Sequence, residues 1–146
     1  MVEQTTRYGM STTVDAPYGE TVERVREALA GEGFGVLSEI DVAATLKNKL
    51  DVDFRPYVIL GACNPPLAHR GLTAERDLGL LLPCNVVVYS ADDAGHSVVA
   101  AMDPEAALEL AANPEVTEVA REVKTRLRRV LEAVETASPG GGRCGR

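Results

Sequence analysis

The sequence predicts one compact α+β domain, with a mainly antiparallel sheet packed by helices and a long C-terminal helix. Three observations predict this fold class. The chain has 146 residues, of which 45% are hydrophobic and 25% charged, as in a single globular domain. Short apolar runs bounded by Gly, Pro, Asn and Asp indicate strands. Apolar residues recur at helical spacing from Val116 to Val134 and indicate a long amphipathic helix.

The first elements are predicted from changes in the spacing of apolar residues along the chain. Alternating residues over 8–14 predict a strand, and apolar positions over 22–29 predict a helix that ends at Gly31. A second strand follows over 36–40. Asp41 is then placed to cap a short helix that ends near Leu50.

The middle of the chain contains the most apolar strand. Every position of 57–62 is apolar or glycine, except for the Tyr57 hydroxyl, which predicts a strand in the centre of the sheet. Asn64-Pro65-Pro66 is typical of a helix start, because proline fits the first turn. We expect this helix to end at Gly71 and a further turn to cover 73–78.

The remaining elements are a hairpin and two capped helices. Strands over 86–89 and 97–102 flank a turn at 92–95. Asp103 and Asn113 each precede a proline and an acid, a pattern that suits a helix N-terminus.

The chain is predicted to be one domain, 1–137, followed by a flexible Gly-rich tail, 138–146. The last helix, 115–136, would be about 33 Å long at 1.5 Å per residue. No internal repeat or interior linker divides the domain.

Composition excludes several classes of partner. A net charge of −7 argues against nucleic acid and against an anionic membrane surface, since both attract clustered Lys and Arg. No apolar run reaches the roughly 20 residues of a membrane helix. The N-terminal residues resemble no signal peptide, and three cysteines fit reduced thiols better than disulfides. We therefore expect a cytoplasmic protein.

Two Cys-Asn steps are the main candidates for a binding site. Cys63-Asn64 ends one apolar strand and Cys84-Asn85 begins another. A thiol before a helix N-terminus has a lowered pKa, and a carboxamide can orient a ligand by hydrogen bonds. The alternatives are that the cysteines are small buried residues, that Asn64 caps a helix and that Asn85 bonds the adjacent backbone.

A soft-metal site is a second interpretation of the thiols. If the two strands are neighbours, Cys63 and Cys84 form a redox pair or bind copper(I) or zinc, with His69 or His96 completing the ligand set. The 21-residue separation of the cysteines does not match the usual spacing of zinc ligands.

A third interpretation concerns acid–base chemistry by carboxylates. Glu39 and Asp41 lie on one face of a strand end, with Lys49 in reach, so they are either paired catalytic carboxylates or a helix cap and a surface ion pair. The sequence contains no Gly-rich phosphate loop, no Gly-x-Ser-x-Gly elbow and no Ser-His-Asp order, so the catalytic residues and the cofactor are unknown at this point.

Several segments together resemble domain-of-unknown-function family 302. The resemblance extends from Met10 to Val134 and rests on 33–42, 49–50, 57–65, 80–86 and 103–104. It implies a TATA-binding-protein-like α+β fold and a tendency to form homodimers. The family has no agreed biochemical role, so the resemblance implies no activity.

These observations lead to a functional hypothesis with two alternatives. The hypothesis is a cytoplasmic dimeric binding protein whose small-molecule or soft-metal pocket surrounds the Cys-Asn steps. Its candidate residues are Cys63, Asn64, Cys84, Asn85, Asp41 and Lys49. The alternatives are a thiol-dependent enzyme or redox protein that uses Cys63 or Cys84, and a structural dimerisation module.

Overall fold

A computed structural model describes residues 1–136, and the predicted tail lies outside the described residues. The strands are β1 (Glu3–Thr6), β2 (Gly9–Val14), β3 (Gly35–Asp41), β4 (Tyr57–Cys63), β5 (Cys84–Ser90) and β6 (Ser97–Met102). The helices are α1 (Tyr18–Gly31), α2 (Val42–Leu50), α3 (Pro65–Ala74), α4 (Pro104–Leu108) and α5 (Pro114–Thr136). Two 3₁₀ helices, Arg76–Leu81 and Glu109–Ala111, complete the fold.

The strands form one six-stranded sheet in the order β1-β2-β6-β5-β4-β3, and every neighbouring pair is antiparallel. The predicted α+β class is confirmed. Strand β4 lies between two neighbours, as its continuous apolar run predicted. Strand β1 was not predicted. All four of its residues are exposed, so the sequence there carries no apolar alternation.

One face of the sheet packs against α1 and α5 and forms the core. The buried stripe of α5 is the predicted one. Its members are Val116, Val119, Ala120, Val123, Leu127, Val130, Leu131 and Val134. On the sheet side, Met10, Leu60 and Val86 have no exposed surface at all. This burial explains why the helix is long and regular: its stability comes from an amphipathic face packed on the sheet.

The predicted helix caps are confirmed. Each capping side chain accepts a hydrogen bond from a backbone N–H in the first turn. The acceptors are Asp41 (from Ala44, 2.9 Å), Asn64 (from Leu67, 3.3 Å), Asp103 (from Glu105, 3.0 Å) and Asn113 (from Glu115, 3.0 Å).

Helix α3 differs from the prediction, because it continues through Gly71 and ends at Ala74. Gly71 is buried where α3 approaches the 3₁₀ helix Arg76–Leu81. A Cβ at Gly71 would lie 2.7 Å from Leu78 Cδ2. The glycine therefore permits close packing between these two elements and does not end the helix.

A partly buried ion pair connects the residue that follows β6 to α5. Asp103 is only 4% exposed, and its carboxylate lies 3.0 Å from Lys124 Nζ. Gln4 of β1 donates to the same carboxylate at 3.1 Å. Burial acts to raise the pKa of Asp103, but the hydrogen bonds from Lys124, the Ala106 N–H and Gln4 outweigh it and hold the pKa below its ordinary value.

Candidate functional site

A cavity of about 400 Å³ lies where one end of the sheet meets α3, the 3₁₀ helix Arg76–Leu81 and α5. Its walls are mainly apolar. They include Phe34, Leu67, Leu78, Leu108, Val119 and Val123. The polar residues in its lining are Ser38, Cys63, Asn64 and Cys84. Both cysteines of the Cys-Asn steps therefore lie at one cavity.

The pairing of β4 with β5 brings the two cysteines close along the backbone, with their side chains on opposite faces of the sheet. Ala62 is the cross-strand partner of Cys84, so Cys63 is one residue from direct register with Cys84. Cys84 is buried and Cys63 half-buried. Sequence reasoning left the adjacency of these strands open, and the sheet order decides it.

Burial controls the chemistry of Cys84. Removal from water disfavours the thiolate and, together with the neighbouring Cys63, raises the pKa of Cys84 to about 11. Cys84 is thus a neutral thiol near pH 7. It is poorly suited to be a nucleophile by itself.

Asn64 lies at the cavity but is already engaged by the protein. It is 7% exposed, and its Oδ1 caps α3. Its Nδ2 donates to the Glu32 carbonyl at 3.4 Å, and Arg126 Nη1 donates to that carbonyl at 3.1 Å. The helix-cap interpretation of Asn64 is confirmed. The residue joins the start of α3 to the end of α1.

Asn85 lies on the other face of the sheet. It pairs with Gly61, is exposed and lines a separate groove of about 690 Å³. Successive side chains of a strand point to opposite faces, so a Cys-Asn step within a strand separates its two side chains. The structure therefore brings Cys63, Asn64 and Cys84 together and leaves Asn85 out of the cavity.

Asp41 is also distant from the thiols. It pairs with Val58 at the end of β4 opposite to Cys63, a separation of about 17 Å at 3.3–3.4 Å per residue. Asp41 caps α2, and Lys49 is an exposed residue of that helix. Glu39 forms an ion pair with Arg26. These contacts favour the cap and surface ion pair over paired catalytic carboxylates.

The histidines are not placed to complete a thiol metal site. His69 is exposed on α3. His96 lies next to two acids, at 3.3 Å from Asp15 and 3.1 Å from Asp93. Within residues 1–136, no group of three or more His, Cys, Asp and Glu side chains is arranged to hold a metal ion.

Sequence reasoning missed the residues that shape the cavity. Gly61 faces Ser38 and Pro83 so closely that an added Cβ would overlap Ser38 Oγ and lie 2.9 Å from Pro83 Cγ. Leu37 and Leu72, which are 71% and 40% exposed, line the cavity from its outer side. Nothing in a single sequence distinguishes such leucines from core leucines. The glycine within an apolar strand was the one available signal.

Comparison with known proteins identifies the family. The family model described as "Domain of unknown function DUF302" matches residues 10–134. The chain belongs to this family. It is similar to the crystal structure of the uncharacterized conserved protein DUF302 from Bacillus stearothermophilus, with 33% sequence identity and a TM-score of 0.81. The similarity covers 88% of this chain and 99% of the other.

No curated protein matches the chain. DUF302 membership therefore establishes the fold and leaves the activity to be inferred from the cavity. Among the described residues, no helix has the length and apolar character needed to cross a membrane.

Proposed function

We propose that this DUF302 protein binds an uncharged, largely apolar small molecule in the cavity beside Cys63 and Cys84. The observation that carries the proposal is the cavity itself, with a volume of about 400 Å³, mainly apolar walls and a few polar residues in its lining. Ligand sites in proteins have this character and occupy about 300–1,000 Å³.

The lining determines the class of ligand. Of the described residues, none that lines the cavity carries a charge. A buried charged ligand would lack a counter-ion there, at a high cost in desolvation. An apolar body against Leu67 and Val123, with a neutral polar group near Ser38, fits this lining. Leu37 and Leu72 offer an apolar entrance from solvent.

Titration with a neutral solvatochromic dye such as Nile red tests the proposal. Ala68 is half-buried on α3 and lines the cavity, so Ala68→Phe would fill it. Ala43 is half-buried on α2 and does not line it, so Ala43→Phe is the matched control. We expect saturable dye binding to the native chain and the control, and its loss in Ala68→Phe.

Two results would contradict the binding proposal. One is an absence of saturable binding by the native protein. The other is an equal effect of Ala68→Phe and Ala43→Phe, which would place the dye elsewhere. Circular dichroism of each variant separates a filled cavity from a failure to fold.

We also propose that the chain forms a homodimer through the open face of the sheet, the face turned away from α1 and α5. This face lines the groove of about 690 Å³. None of the described residues that line the groove is charged, which permits close approach of two chains of net charge −7. The rings of Tyr57 and Tyr89 stack at 5.2 Å there, and Phe54, 48% exposed, contacts Tyr57.

Sedimentation equilibrium tests the dimer. Val87 lies in the groove, so Val87→Lys would bury a charge in the proposed interface, while Thr125→Lys adds the same charge at an exposed position of α5. We expect twice the chain mass for the native protein and for Thr125→Lys, and the chain mass for Val87→Lys. A native monomer, or a Val87→Lys dimer, would exclude this interface.

A thiol-dependent function is the second candidate, because both Cys63 and Cys84 are among the residues that line one cavity. A two-thiolate soft-metal site is less favoured, since Cys84 must lose a proton held with a pKa of about 11. Native mass spectrometry of a Cys144→Ser variant after copper(I) loading tests for such a site. The proposed compartment is the cytoplasm, where thiols remain reduced, and cell fractionation tests it.

A further inference from the structure

We propose that the thiol of Cys84 donates a hydrogen bond to the ligand of the cavity, and that this ligand is therefore a neutral carbonyl compound. The inference rests on the proposed function and narrows it, from an uncharged apolar molecule to one that carries a ketone, aldehyde or ester oxygen. It follows from the face on which the Cys84 side chain lies, from the lack of a partner for its thiol and from the contacts of the other polar residues.

The side chain of Cys84 lies on the face of the sheet that borders the cavity. Cys84 is directly opposite Ala62 in the antiparallel pair of β5 and β4, and directly opposed side chains share a face. Ala62 also lines the cavity and is only 1% exposed. Cys84 belongs to the same buried cluster as Leu67 of α3 and Val123 of α5, which form part of the cavity wall. The thiol is therefore directed towards the space between these helices and the sheet.

The Cys84 thiol is a buried donor without a partner. Cys84 is 6% exposed, and within residues 1–136 no hydrogen bond is made to or from its sulfur. Burial, with a smaller effect of the neighbouring Cys63, raises the pKa of Cys84 to about 11, so the thiol keeps its proton near pH 7. Most buried polar groups in proteins are hydrogen-bonded, and a protonated thiol is a weak donor. An acceptor atom on a ligand would satisfy it.

The other polar residues of the lining are less suited to select a ligand. The Asn64 side chain caps α3 and donates to the Glu32 carbonyl, so both ends of its carboxamide are engaged. Cys63 is one step along the strand from direct register with Cys84, which places its side chain on the opposite face. Ser38 is exposed, so a ligand group near its hydroxyl only replaces a hydrogen bond to water and gains little.

The donor character of Cys84 determines which polar group the ligand carries. A carbonyl oxygen accepts a hydrogen bond and brings no donor of its own. An amide or an alcohol brings an N–H or O–H that needs an acceptor, and the buried Asn64 oxygen already accepts from the Leu67 N–H. An unpaired donor in apolar surroundings has a cost in desolvation. The lining therefore favours a carbonyl compound over an amide or alcohol of the same size.

Acetophenone and ethylbenzene form a matched pair of probes, because they differ only by a carbonyl in place of a methylene. Displacement of Nile red under reducing conditions gives the dissociation constant of each. We expect Cys84→Ala to weaken acetophenone relative to ethylbenzene by about two- to fivefold, the range of one weak hydrogen bond. Cys63→Ala is the matched control and should leave the ratio of the two constants unchanged. Cys84→Ser keeps a donor and should retain the preference for acetophenone.

Infrared spectroscopy provides a readout that does not depend on a Cys84 variant. The chain contains three cysteines, so a chain with Cys63→Ala and Cys144→Ser has Cys84 as its single source of an S–H stretching band. A hydrogen bond from the thiol lowers the frequency of this band. We expect acetophenone to lower it and ethylbenzene to leave it unchanged, in a chain that keeps the native residue at position 84.

The outcomes separate this inference from the proposed function. An equal ratio of the two constants in the native chain and Cys84→Ala, or an S–H band that acetophenone does not move, would overturn the role of Cys84 while the cavity remains a binding site. Saturable dye binding that acetophenone does not displace would likewise overturn only the ligand class. A native chain that binds neither the dye nor the two probes would contradict the proposed function itself, and this inference with it.

Discussion

Replacement of Asn64 by alanine should weaken the fold more than the same replacement of Asn85, although both follow a cysteine. Asn64 is buried and makes two hydrogen bonds to the backbone, to the Leu67 N–H and the Glu32 carbonyl. Asn85 is exposed on the open face. The two variants therefore form a matched pair for which the sequence context is nearly the same.

The expected loss of stability in Asn64→Ala follows from the lengths of the two hydrogen bonds that Asn64 makes. Loss of an Asn cap costs about 1 kcal/mol, and the 3.3 Å bond to Leu67 is longer than the usual 2.9–3.0 Å. The 3.4 Å bond to Glu32 adds at most about 0.5 kcal/mol, because Arg126 still donates to that carbonyl. We expect Asn64→Ala to lower the free energy of unfolding by about 1–1.5 kcal/mol. The melting temperature should fall by about 3–5 °C.

Urea denaturation followed by circular dichroism measures this free energy. Asn85→Ala should change it by less than about 0.5 kcal/mol, as for most exposed positions. Compared with Asn64→Ala, Asn64→Ser should recover much of the lost free energy of unfolding, because serine is also a good helix cap. The recovery should be incomplete, since serine cannot donate to the Glu32 carbonyl in the same way.

The reasoning would be refuted if Asn64→Ala retained full stability and lost dye binding. That result would mean that the carboxamide serves a ligand and not the helix. A drop of similar size in Asn85→Ala would also contradict it, since no described hydrogen bond of the Asn85 side chain accounts for such a loss.

Three further changes have defined expected results. Gly61→Ala should lower the free energy of unfolding in urea by about 1–3 kcal/mol, because the added Cβ would overlap Ser38 and Pro83. The pKa of Asp103 is lowered on folding, mainly because Lys124 outweighs the effect of burial. Asp103 therefore stabilises the protein above about pH 4. This contribution is lost as the pH falls through the pKa of the folded state. Asp103→Asn should therefore show a shallower loss of stability between about pH 4 and pH 2 than the native chain in acid titrations; an unchanged slope would contradict this. At pH 8 only about a thousandth of Cys84 is thiolate, so mass spectrometry should find iodoacetamide on Cys63 well before Cys84 in the folded chain, and comparable labelling in urea.

Sequence reasoning succeeded where short-range interactions decide the structure. The caps of α2, α3, α4 and α5 depend on residues within three positions of each other, and all four were predicted. The stripe of α5 depends on a 3.6-residue period that the sequence displays directly. Strand β1 escaped prediction because its exposed residues carry no such period.

The site was predicted only in part. Cys63, Asn64 and Cys84 do meet at one cavity, whereas Asn85, Asp41 and Lys49 do not line it. The strand alternation that separates Cys84 from Asn85 was available in the sequence and was not applied to the Cys-Asn step.

By itself, the sequence determined the fold class, the helix starts and the buried face of α5, because local hydrogen bonding and apolar periodicity are encoded within a few residues. Only the tertiary structure decided that β4 and β5 are neighbours and that their ends face α3 and α5. Sheet register and the space left between packed elements arise from contacts between residues distant in the chain. The cavity, and the presence of both Cys63 and Cys84 in its lining, are products of that long-range packing.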